Sequence, residues 1–410
     1  MSIWLQNTKS KLYNAFLLQF IPLRVYGLYP FNGWPRHVYD IYAMIMYVIL
    51  IVPVPILASI YVGKLLSSSN GSINMVEISD SLMVITEMGV NIFKYLDLKL
   101  HPNSIKKTMD WLNFPLFNNF DKRQERMIEQ AYDFCRKFYF LFFLSCCSTL
   151  LTWASKSLFS NNRKFPVEIW LPFDPYENSF VYYFLHLYIF LSATNTVFCN
   201  SALDTLITGL IYQAAIQVRI IKSTVANLQA IADEKLLKPD GILSLEPAMK
   251  ATKKNNIIYG EIARCVRRYG QVKRFVADIE DVYSFALFSQ FAISVLLICF
   301  QCLQLSIVEP LSYRFFYIIT TLITTTSEVF MYCYAGSLIY NETLSLNSDL
   351  YISNWLDLDL KCQKALIIIM EYGKHPFIIR AGKLVDLSLD TFTLIIRRSY
   401  SLLAILQNYN

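Results

Sequence analysis

The chain is 410 residues long, 55% hydrophobic and 15% aromatic, with 37 Lys and Arg against 31 Asp and Glu for a net charge of +6. Together with a mean hydropathy of +0.37, this excludes a string of ordinary soluble domains and points to an all-α, polytopic membrane protein. The basic residues cluster between apolar spans, where they report membrane orientation, and no nucleic-acid partner is expected.

Residues 1 to 38 are amphipathic, carry Lys9, Lys11, Arg24 and Arg36, and form an expected cytosolic or re-entrant segment. The opening stretch is broken by polar residues and lacks a small-residue cleavage site, so no signal peptide is read. The first span runs from Tyr39 to Val62 and tolerates Pro53 and Pro55. A second, Ile73 to Leu98, holds Glu77, Asp80, Glu87 and Lys94, charges that suit a helix packed inside a bundle. Four more follow: Phe138 to Ala154, Phe180 to Ile211, Val282 to Val308 and Phe315 to Tyr340. Residues 213 to 281 read as helical extensions of spans four and five, because Ile216, Ile220, Val225 and Leu228, and again Ile258, Ile262, Val266 and Tyr269, recur at roughly helical spacing. Spans one to six thus occupy residues 39 to 340. Residues 341 to 383 have too short an apolar core, Ala365 to Met370, to cross a bilayer, and are expected as a cytosolic anchor helix.

The last segment, 384 to 410, contains 23 mostly apolar residues from Leu384 to Leu406 with no Pro or Gly, enough to cross a ~30 Å hydrocarbon layer. It also carries Asp390, Arg397, Arg398, Ser399 and Ser401, which a helix surrounded by lipid would lack. Stepping 100° per residue from Ile405 puts Leu394, Arg398, Ser401, Leu402 and Asn408 within about 60° of one line. That stripe, apolar and polar together, has the chemistry of a pore lining with a hydrophobic constriction.

Lys and Arg number thirty in the 1–38, 94–137, 213–281 and 337–383 regions against five in 63–72, 155–179 and 309–314. The asymmetry predicts seven spans with the N-terminus cytosolic and the C-terminus outside. It places the sequon at Asn70 outside, where it could be glycosylated, and the one at Asn341 inside. A G-protein-coupled receptor has the opposite orientation, and its DRY-like and NPxxY motifs are missing. The nine cysteines are an odd number and read as buried thiols rather than a disulfide framework. No metal-ligand spacing, phosphate-cradling loop or nucleophile–base pairing is visible, so neither an enzyme nor a cofactor is expected. The few glycines and the lack of a visible repeat argue against a transporter.

Gly382-Lys383, then Leu387 to Phe392, then Ser399-Tyr400-Ser401 resemble the C-terminal signature of insect odorant receptors. Pro172 to Pro175, Asp204 with Leu206 and Leu210, Ser289 to Phe291 with Cys299, Phe330 to Cys333 with Gly336, and Trp355, Met370, Pro376 and Ala381 fit the same family in the same order. The chain lacks the enlarged inner loop and the ending of the family's shared co-receptor, so it resembles a ligand-selective tuning subunit. The gustatory receptors share the topology but carry TYxxxxxQ in the last span, whereas here Gln407 lies seven residues after Tyr400.

The resemblance implies an odorant-gated non-selective cation channel in the plasma membrane of olfactory sensory neurons, a heterotetramer with the co-receptor subunit, bathed in membrane lipid. It places the hydrophobic gate at Ile405 and a polar ring at Asn408, with Leu402 and Arg398 nearby on the stripe. It places the pocket for a small volatile organic odorant in the outer half of the bundle. There Cys146, Thr149 and Trp153 share one face of span three, joined by Met83, Glu87 and Met88 from span two, Tyr183 and Leu187 from span four, and Tyr317 and Thr320 from span six. Glu87 and His186 are the polar groups in this region whose contact with ligand is left open. Burial of an apolar ligand of about ten heavy atoms, at ~25 cal/mol per Å2, leaves modest affinity after association costs.

Overall fold

A computed structural model describes residues 10–31, 33–68, 75–101, 103–158, 164–237, 247–353 and 355–408. In chain order its helices are α1 (Lys11–Asn14), α2 (Leu17–Val25), α3 (Arg36–Leu50), α4 (Pro53–Ser68), α5 (Met75–Leu100), α6 (Ser104–Asp110), α7 (Lys122–Leu158), α8 (Ser179–Ala226), α9 (Leu228–Leu236), α10 (Pro247–Ile307), α11 (Tyr313–Ile352), α12 (Leu360–Gly373) and α13 (Leu389–Asn408). A two-stranded antiparallel hairpin, β1 (Arg380–Ala381) and β2 (Val385–Asp386), precedes α13.

Among the described residues, Arg36–Ser67, Arg123–Ser155, Ser179–Ala226 and Met249–Ile307 are long and apolar enough to cross a membrane by composition alone. Helices α5 and α11, the expected spans two and six, are more polar because polar side chains such as Lys94 and Tyr332 meet partners inside the bundle, whereas α13, the expected span seven, leaves Asp390, Arg397 and Arg398 exposed. On α11 the hydroxyls of Thr321, Thr324 and Thr325 donate to the carbonyls four residues back at 2.8 to 2.9 Å, which hides them from an apolar surrounding.

The expected first span is two helices, α3 and α4, with Pro53 opening the second. Proline has no N–H for the preceding turn and disfavours helical backbone at Val52. The freed carbonyls of Ile49 and Leu50 accept hydrogen bonds from the Tyr188 and Ser192 hydroxyls of α8, which is how a neighbour makes a proline break tolerable at depth. The expected boundary at residue 340 falls inside α11, which continues unbroken to Ile352, and the 341–383 region holds the end of that helix, α12 and part of the hairpin.

Helix α8 is the central post. Between Cys199 and Ile221 nearly every side chain is buried, the pattern of a helix enclosed on all sides. Around its C-terminal half pack α1, α2, α9, α10 and α12 with a continuous core that includes Phe16, Phe20, Leu210, Ile262, Phe275 and Leu366. Phe16 fits against Gly209, where a Cβ would collide with its ring. At the other end α7 and α11 flank α8, and the segment 164–178 caps the bundle through buried Phe165, Val167 and Ile169. The outer faces of α3, α7 and α8 present Ile41, Met44, Phe140, Leu141, Phe184 and Leu191, all exposed, an apolar belt suited to lipid.

Candidate functional site

A cavity of about 130 Å3 lies between α5, α7, α8, α10 and α11, toward the end of the bundle capped by residues 164–178. Met83, Met88, Leu150, Trp153, Val197 and Leu297 give it apolar walls, and Glu87, Asn200 and Glu328 make its deep end polar. Of the ten expected pocket residues, Met83, Glu87, Met88, Cys146, Thr149, Trp153 and Tyr317 line this space together.

The other three do not. Tyr183 and Leu187 are 63% and 55% exposed on the outer face of α8, because at 100° per residue they lie about 60° and about 100° around the helix from the inward-facing Ala193 and Val197 line. Thr320 is turned to α7, where its hydroxyl meets that of Thr152 at 3.2 Å, and Thr321 takes the place on the wall. His186 is half-buried, with its ring beside Phe165 and Tyr182, and does not line the cavity.

One side of the cavity is held by a ladder of hydroxyls between α7 and α11. Ser145 and Thr149 both meet Thr324, at 2.7 and 3.0 Å, and Ser155 meets the Tyr313 hydroxyl. Hydroxyl bonds of this kind are worth on the order of 0.6 kcal/mol each between membrane helices, so the ladder sets register more than it adds stability.

Beneath the cavity lies a cluster of charges. Lys94 of α5 is 2% exposed and donates to Asp204 Oδ1 at 2.7 Å and Asn200 Oδ1 at 2.6 Å, both from α8. The Tyr332 hydroxyl of α11 donates to the same Asp204 oxygen at 2.6 Å. Glu328 lies 3.6 Å from Lys94, and the Asn200 amide reaches Glu87 at 3.5 Å. Each helix supplies two residues from one face: Glu87 and Lys94 seven apart, Asn200 and Asp204 four apart, Glu328 and Tyr332 four apart. Sequence reasoning picked out Glu87 and Asp204 but missed Glu328 and Asn200, whose signal is polar residues at helical spacing inside apolar spans.

At the chain's end, Gly382 and Lys383 turn the hairpin with φ of 60° and 59°, a left-handed pair that favours glycine at the first place. A Cβ at Gly382 would also strike Phe288. The hairpin is fastened to α10 by Gly382 N–H donating to Ser284 O at 2.8 Å and Ser284 Oγ donating to Arg380 O at 3.1 Å. Helix α13 then lies on α10 and α11, with Ser399 Oγ donating to Val295 O at 3.1 Å and Phe392 against Phe330. Leu394, Arg398 and Ser401 are exposed on its opposite face and Leu402 is half-buried. The side chains of Ile405 and Asn408 lie outside the described ones, as does Asn70.

Residues 74–400 match the family model described as 7tm Odorant receptor. The chain belongs to this family. The receptor is 25% identical over 347 residues to odorant receptor Or1 of Anopheles gambiae, covering 81% of each chain, and 24% identical over 278 residues to odorant receptor 94a of Drosophila melanogaster, covering 67% of this chain and 66% of that one. Its fold is that of the olfactory receptor OR5 of Machilis hrabei, solved in complex with eugenol, with a TM-score of 0.76 at 13% identity over 97% of the receptor and 99% of that chain. The same protein without that ligand gives the same score at 15% identity. Odorant-gated cation conduction is the function of this family, and the receptor is a multi-pass membrane protein.

Proposed function

We propose that the receptor is the odorant-selective tuning subunit of a heterotetrameric, non-selective cation channel, formed with a separate co-receptor subunit at the plasma membrane of olfactory sensory neurons. The N-terminus is cytosolic and the C-terminus extracellular, so the cavity lies in the outer half of the bundle and takes the volatile ligand. Residues 1 to 38 and the 341–383 region sit on the cytosolic side, and 384 to 410 line the pore, with Ile405 as gate and Asn408 as its polar neighbour.

The observation that carries this reading is that α10 and α11 serve two structures at once. On one face they give the cavity Leu297, Gln301, Tyr317 and Glu328. On another, at Val295 and Phe330, they hold α13. A ligand that prefers one arrangement of α10 and α11 therefore biases the position of α13, which is all that gating requires thermodynamically. The exposed face of α13, mixed in polarity, is the surface left for a pore shared between subunits.

Whole-cell recording tests it. Cells expressing the receptor with the co-receptor should give odorant-evoked cation current within milliseconds and without G-protein signalling. Current of equal size from the receptor alone would overturn the tuning assignment.

A further inference from the structure

Away from the odorant cavity, the N-terminal half of α10 carries an arginine face that the chain neutralises only in part. Arg264, Arg267 and Arg274 lie within about 80° of one another at 100° per residue, and they meet along an open cleft of about 710 Å3. Gly270, Gln271 and residues of the Phe114–Asn119 segment complete the lining, and among the described residues no Asp or Glu faces the space. Its volume falls within the ~300–1,000 Å3 of small-molecule sites.

The nearby acceptors are already engaged. Glu261 is buried and accepts from Lys235 at 2.6 Å as well as from Arg264 at 3.0 Å. Arg268, also buried, donates to the carbonyls of Leu116 and Asn119 at 2.7 Å each, which pins that segment to α10. Arg267 reaches only the Ala263 carbonyl of its own helix, at 3.4 Å. Arg267 and Arg274 are both exposed, and neither forms an ion pair among the described residues. The cleft is therefore left with an excess of guanidinium donors, whose planar fork matches the oxygens of a phosphate.

Position along the helix narrows the partner. Arg274 stands eight residues, about 12 Å, before the expected start of span five at Val282, and Arg264 about 15 Å further still. The headgroup layer adds only about 5–8 Å to each side of the hydrocarbon, so an ordinary lipid phosphodiester falls short of the cleft. A single carboxylate or phosphate satisfies one guanidinium, whereas arginines spread over ~15 Å of axis suit several phosphates on one molecule. We infer that the cleft binds a polyphosphorylated anion of the inositol-phosphate kind, with Arg267 and Arg274 donating to separate phosphate groups and Arg264 shared between the ligand and Glu261. An inositol lipid of the inner leaflet and its free headgroup in the cytosol carry the same chemistry. The inference goes beyond odorant binding and uses only the cytosolic placement of this half of α10.

Calorimetry on the purified full-length receptor in detergent tests the site without reference to membrane orientation. Inositol trisphosphate is the probe and inositol its neutral counterpart; the first should bind and the second should not. Arg267→Gln with Arg274→Gln should weaken binding roughly tenfold or more, through the loss of charge-assisted hydrogen bonds. Lys250→Gln with Lys253→Gln removes the same charge from exposed positions of the same helix and should stay within about threefold. Gly270→Trp keeps every charge but fills the cleft, since a Cβ there meets nothing within 4 Å, and it should abolish binding. No binding of inositol trisphosphate, equal losses in the two double variants, or full binding by G270W overturns the proposal. Bilayer discs with and without phosphatidylinositol bisphosphate then identify the source. Competition between this lipid and the soluble probe assigns the site to the inner leaflet, and probe binding that the lipid leaves unchanged assigns it to the free anion.

Discussion

Lys94, Asp204 and Tyr332 show why three polar residues persist in an apolar bundle. Each is buried, and Asp204 Oδ1 accepts from both Lys94 and Tyr332, at 2.7 and 2.6 Å. Removing one member leaves an uncompensated charge, at a cost of about 3–5 kcal/mol. Asp204→Asn should therefore lower the unfolding midpoint and reduce surface delivery, and the double change Lys94→Met with Asp204→Leu should recover part of the loss. Surface biotinylation and a thermal scan check both; a harmless single substitution would mean the pair carries no structural load. Cys362 is a residue of the opposite kind. Burial pushes its thiol up from the ordinary range, and it is 1% exposed on α12, so it holds little nucleophilic thiolate at neutral pH. Maleimide should leave Cys362 unlabelled in the folded receptor and label it on unfolding, as read by peptide mass spectrometry.

At the scale of elements, α13 depends on contacts made before it begins. Its start is set by Leu389 N–H donating to Ser337 Oγ at 2.9 Å and Leu387 N–H donating to Ile379 O at 2.9 Å. Gly336 lets α11 approach so closely that a Cβ there would enter the backbone carbonyl of Leu387. Gly336→Ala should displace this junction at a cost of about 1–3 kcal/mol, the usual range for overpacking. If α13 transmits ligand binding, the variant should reach the surface and bind ligand yet pass less evoked current. Current at the level of the unaltered receptor would show the junction to be dispensable. The Gly-Lys pair and Leu387 to Phe392, which carry the family signature in the sequence, are the residues of this same turn and junction.

For the whole molecule, the two faces of α13 divide its labour. Ile395 and Ser399 are buried against the bundle, while Arg398 stands on the exposed side with Leu394 and Ser401. A fixed cation beside a cation pathway repels the permeant ion over about a Debye length, ~8 Å at physiological salt. Arg398→Ala should therefore raise single-channel cation conductance in the assembled channel. An unchanged unitary current would place Arg398 away from the conduction path.

What the sequence determined by itself was the membrane class, the order of the helices and the family, because apolar length, helical periodicity and a short signature at the chain's end are local properties. It also brought seven of ten residues to one cavity, since Cys146, Thr149 and Trp153 sit at spacings that share a helix face. Only the tertiary structure decided the rest. Whether Tyr183 faces lipid or ligand depends on the rotation of α8 against its neighbours, which a helix apolar on every side does not reveal. Glu328 meets Lys94 across 234 residues of chain, and nothing local to either predicts the other: a buried charge announces that it has a partner, but only packing says which.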